Sequence, residues 1–178
     1  MKQISLLIIL IFNTSFIFSQ EIKAETVYQK CVYNSLDDKG VLLKKYTKEF
    51  ESHLIVSKIL KDTTSKAYFD LFKALGGNEW KDFKYNYSYI DSINKIAGYK
   101  IVNGSNVGCA KEMREYRNFK KSKFFKMKNI FLEEHETIET VLKKMLLYLE
   151  EQDFELDFYK YRTLFFLEDL FDYDTIQE

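Results

Sequence analysis

The chain contains no proline, and its six glycines (Gly40, Gly76, Gly77, Gly98, Gly104 and Gly108) stand where an apolar spacing of three to four residues stops or restarts. Proline ends or kinks a helix, and glycine just past a helix end accepts positive φ without steric penalty. A chain that keeps the punctuation and lacks the breaker is expected to be all-α. The spacing predicts an irregular bundle of about six to seven helices.

The first helix is expected over residues 21–36, with Val27, Tyr28, Cys31 and Val32 on one side, and a second over 41–60, with Leu43, Tyr46, Phe50 and Leu54 in a stripe beside Ile55 and Ile59. Thr64 or Ser65 can cap a third, whose Tyr68, Leu71, Phe72 and Leu75 share a face. A short fourth is predicted over 87–97. A fifth, over 106–132, carries Cys109, Met113 and Tyr116, then Phe124, Met127 and Phe131 after a slip of phase near Lys120, so it is one bent helix or two. A sixth, over 137–151, has the cleanest amphipathic pattern (Ile138, Val141, Leu142, Met145, Leu146 and Leu149), and Asp153 can cap a seventh running to Phe171. The segment GYKIVNGSNVG, 98–108, departs from helix; its Asn103-Gly104 pair suits a tight turn, as an ordered loop or a short hairpin.

Met1, Lys2 and Gln3 place a positive charge ahead of an apolar run from Ile4 to Phe18, the pattern of a secretory leader. A fifteen-residue helix reaches only about 22 Å, short of the roughly 30 Å hydrocarbon layer. Cleavage is expected near Ser19 or Gln20, giving a leader over 1–20 and a single helical domain over 21–178, exported to the periplasm or beyond the cell. The Lys, Ile, Asn, Tyr and Phe bias fits an AT-rich bacterial genome. No other stretch is long and apolar enough to span a membrane. In an oxidising compartment the two cysteines, Cys31 and Cys109, are expected to pair. Two small buried hydrophobes are the alternative.

The near-zero net charge hides an asymmetry. Residues 111–128 carry eight basic side chains (Lys111, Arg114, Arg117, Lys120, Lys121, Lys123, Lys126 and Lys128) against Glu112 and Glu115, or +6. Residues 133–178 carry fourteen acidic and four basic side chains, or −10. With Tyr116, Phe119, Phe124 and Phe125 interleaved, the basic segment can grip an anionic envelope polymer or lipid, or be a solvated face that balances the acidic end. No nucleic-acid reader motif is visible. The C-terminal segment has more aromatics than one stripe can hold. Its Phe158, Tyr159, Tyr161, Phe165 and Phe166 are therefore either central to the bundle or a docking surface for a protein partner or a second copy.

No spacing marks a catalytic or metal site. His53 follows Glu49, and His135 precedes Glu139, at helical distance, but neither matches the Glu-x-x-His pairs of a di-iron bundle or the His-Glu-x-x-His zinc motif. No cofactor and no metal are expected. The first functional expectation is a non-catalytic exported binding or interaction module. The alternatives are a binder of an anionic polymer or lipid through 111–128, and a small carboxylate acid/base enzyme whose pair the sequence does not nominate.

Overall fold

The computed structural model describes residues 23–77, 79–83, 106–128, 130 and 137–175. Among them the protein is all-helical: α1 (Ala24–Ser35), α2 (Val41–Val56), α3 (Ser65–Gly76), α4 (Asn106–Glu115), α5 (Lys123–Lys128), α6 (Ile138–Met145) and α7 (Asp157–Thr175), with short 3-10 turns at Glu79–Asp82, Phe119–Lys121 and Glu151–Glu155. No strand occurs among the described residues, and no helix there is long and apolar enough to cross a membrane. The fourth expected helix and most of the expected loop or hairpin lie outside the described residues. So do the leader and His135.

The helices begin and end where local chemistry dictates. Thr64 caps α3 by accepting a hydrogen bond from the Ala67 amide at 3.2 Å, and Thr137 caps α6 through the Thr140 amide at 3.3 Å. The second helix stops at Val56 rather than reaching Leu60. Lys58 turns left-handed (φ 60°), its amide reaches the Ile55 carbonyl at 3.0 Å, and the Ile59 amide reaches back to the Leu54 carbonyl at 2.9 Å. This is a Schellman closure with lysine where glycine is usual. Asp153 does not cap the last helix, which opens four residues later. It accepts from the Glu150 amide at 2.8 Å and tightens the Glu151–Glu155 turn. Nor do the glycines all act as stops. Gly77 closes α3 at φ −86° and Gly108 lies inside α4, whereas Gly40 is left-handed (φ 79°). A Cβ at Gly40 would stand 2.5 Å from the Tyr33 ring.

Helix α3 is central. It packs on α6, on the Glu151–Glu155 turn and on α7, while α1 lies against α4 and α7. Its Tyr68, Leu71, Phe72 and Leu75 are all buried. The last helix is apolar around most of its circumference and accordingly lies in the core: Phe158, Tyr159, Leu164, Phe166, Leu167, Leu170 and Phe171 are buried. Edge-to-face contacts knit these rings together, with Phe158 5.6 Å from both Tyr28 and Phe124, and Phe166 6.1 Å from Phe72. Cys31 and Cys109 form a disulfide that staples α1 to α4, with Cα atoms 5.5 Å apart.

Candidate anion-binding face

The basic segment is not one helix. Its phase slip near Lys120 resolves into α4, the Phe119–Lys121 turn and α5. Phe119 and Met127 are buried, while Lys120, Lys121 and Lys126 between them are exposed. Ser122 makes the joint: its hydroxyl donates to the Phe119 carbonyl at 2.6 Å and accepts from the Phe125 amide at 3.0 Å. A second α5 amide is satisfied from farther away. The buried Glu25 of α1 accepts the Phe124 amide at 3.1 Å and the Tyr159 hydroxyl at 2.9 Å. One carboxylate thus ties α1, α5 and α7 together.

The basic residues divide into two groups. Lys123 faces inward and donates to Asp153 Oδ2 at 2.7 Å and to Glu150 Oε2 at 3.0 Å, while Lys23 approaches Asp153 Oδ1 at 4.0 Å. Burial works against the charge of Lys123, yet hydrogen bonds to Asp153 and Glu150 more than offset it, so its pKa rises. Lys123 is therefore an internal counterion to the buried Asp153 and belongs to the fold. Lys111 is exposed and pairs with Glu115 at 3.8 Å. Arg114, Arg117, Lys120, Lys121 and Lys126 are exposed and form no salt bridge among the described residues. Arg114 donates back to the Ala110 carbonyl at 3.1 Å. The side chain of Lys128 lies outside the described residues.

The C-terminal aromatics are placed differently from a docking surface. Phe158, Tyr159 and Phe166 are buried in the core, and Tyr161 and Phe165 are half-buried. Tyr161 belongs to a polar corner in which the Tyr33 hydroxyl lies 2.8 Å from Asp157 Oδ2 and 3.1 Å from the Tyr161 hydroxyl, with the Lys44 ammonium 4.4 Å from the Tyr33 ring centre. Burial raises the Tyr33 pKa, and Tyr161 and Asp157 raise it further. The Tyr33 phenol stays protonated and acts as a donor.

Two clefts lined by described residues open elsewhere. One of about 480 Å³ lies between the end of α2 and α3, lined by Ile55, Ile59, Leu71 and Phe83 with Asp70 and Glu79 at its rim. Asp70 is held by Lys66 at 2.7 Å and Lys73 at 2.8 Å, and those hydrogen bonds lower its pKa, a poor setting for a general acid. The other, about 290 Å³, lies between α1 and the start of α7 and includes Glu25, Tyr33 and Asp157, all already engaged in the contacts above. His53 is partly buried on α2, and no group of three His, Cys, Asp or Glu side chains converges among the described residues. Comparison of the chain with protein-family models, with curated proteins and with solved structures finds no match.

Proposed function

We propose that the protein is an exported, non-catalytic binding module that docks on an anionic partner through Arg114, Arg117, Lys120, Lys121 and Lys126. One observation carries this reading. In a chain whose charges cancel overall, these five cations are solvent-exposed and lack carboxylate partners among the described residues. Unneutralised charge of one sign on one segment raises the local concentration of an oppositely charged partner and steers its approach. Export is supported by the Cys31–Cys109 bond, since disulfides form and persist in oxidising compartments. A protein partner seated on the C-terminal aromatics has less support, because Phe158, Tyr159 and Phe166 are spent in the core.

The test is retention of the disulfide-bonded protein on immobilised polyphosphate. Retention should fall steeply with salt and be lost in K120E/K121E/K126E, whose positions are exposed and carry no internal contact of the kind Lys123 makes. Retention that ignores both salt and the triple reversal would overturn the proposal.

A further inference from the structure

The cationic face does not stand alone. The described residues have six exposed large apolar side chains, and three of them, Phe125, Leu147 and Tyr148, lie on two segments held together by Lys123. Phe125 follows Lys123 by two residues on α5. Leu147 and Tyr148 form the turn after α6, their amides bonded to the Lys144 and Met145 carbonyls at 3.2 and 2.9 Å. That turn leads within three residues to Glu150, the partner of Lys123. Chain reach keeps Leu147 within about 11 Å of Glu150 along the backbone. The Lys123–Glu150 contact therefore brings an apolar tip, 79% exposed at Leu147 and 40% at Tyr148, to the segment that carries Lys120, Lys121, Phe125 and Lys126.

A water-soluble polyanion has no use for exposed leucine and aromatic rings beside its counter-charges. A bilayer interface uses both: the headgroups take the lysines, and the zone just beneath takes Leu, Phe and the amphipathic ring of Tyr. Resting on the anionic-partner reading above, we infer that the occupant of this face is an anionic phospholipid surface, with the Leu147–Tyr148 turn and Phe125 entering the headgroup layer between the lysines. Lys123, shared between Asp153 and Glu150, offsets the Glu150 charge only in part at 3.0 Å, and the exposed Lys120, Lys121 and Lys126 outnumber it. The contact is peripheral and needs no spanning helix.

Vesicle co-flotation with the disulfide-bonded protein tests the inference, using phosphatidylcholine vesicles with and without phosphatidylglycerol, and soluble polyphosphate in parallel. Binding is expected only with phosphatidylglycerol present. Each neutralisation, K120Q, K121Q or K126Q, should weaken it about fivefold. The triple variant F125A/L147S/Y148S should weaken vesicle binding about tenfold or more and leave polyphosphate binding unchanged. All three positions are exposed, and circular dichroism with a matching urea midpoint checks that the variant folds. Polyphosphate binding without vesicle binding would overturn the lipid assignment and leave the anionic-partner reading standing. Vesicle binding indifferent to the apolar substitutions would overturn it equally, since charge alone would then suffice. Binding to neither would remove both.

Discussion

Breaking the Cys31–Cys109 bond is the perturbation whose size follows most directly from the structure. The bond joins residues 78 apart in sequence, between α1 and α4, which pack side by side. In the loop-entropy account the link acts on the unfolded chain, which loses the freedom to separate two distant points. The loop-closure relation gives about 4.5 kcal/mol at room temperature for a loop of this length. For a domain of this size that is equivalent to roughly 10 to 15 °C in Tm. Reduction of the wild-type protein is the cleaner experiment. It keeps both sulfur atoms, whereas Cys109→Ala also empties volume at a site only 1% exposed. Urea unfolding followed by far-ultraviolet circular dichroism, with and without reductant, should show unchanged helicity at the start and a midpoint shift of about this size. The reduced unfolded chain should also be more expanded, raising the denaturant slope. A stability difference below about 1 kcal/mol, or loss of helical signal before urea is added, would refute the reasoning that the staple acts on the unfolded state.

Three further perturbations have definite expectations. Glu25→Ala orphans the half-buried Phe124 amide and the buried Tyr159 hydroxyl and should cost about 2 to 5 kcal/mol. Glu25→Gln, which keeps an acceptor, should cost less than half of that in the same urea titration. Burial is the main cause that holds the Tyr33, Tyr68 and Tyr159 phenols above their ordinary pKa of 10.0, and Lys123 is held above 10.5 against burial by Asp153 and Glu150. For every one of these groups the folded-state pKa exceeds the unfolded one. Their stabilisation is complete below the unfolded values and is lost as pH climbs through them toward the folded ones, so urea midpoints should hold near neutrality and fall steeply above about pH 10. A flat alkaline limb would contradict the burial of those phenols. Lys58→Gly should stabilise by about 1 kcal/mol by relieving the left-handed backbone, while Lys58→Ala should not, a contrast that thermal melts can read.

Much of the helical frame is legible along the chain because its determinants are local. The Tyr68, Leu71, Phe72 and Leu75 spacing and the Thr64 cap mark α3, and the crowding of aromatics on α7 matches its central position. Two breaks are not legible, and for one reason. At Lys58 the closing residue is a lysine forced left-handed by the burial of Ile59 and Leu60 beyond it, and at Leu146–Leu149 the chain turns without glycine or proline. In both places tertiary packing overrides local preference. The charged residues divide in the same way. That Lys111 to Lys126 form a cationic segment can be counted in one dimension. That Lys123 is withdrawn from it, to neutralise an Asp153 thirty residues away, depends on how two segments meet. The exposed Leu147 and Tyr148 are hidden from a periodic reading for the converse reason, since the period assigns the whole run to a helix that in fact ends at Met145.

The staple also changes what a protease can accomplish. Because one covalent bridge spans residues 31 to 109, any single backbone scission between those two positions leaves both fragments tethered. Such a nicked product would migrate as one species until a reducing agent is added. Under oxidising conditions a cut anywhere in that 78-residue span would therefore not by itself release a piece of the molecule.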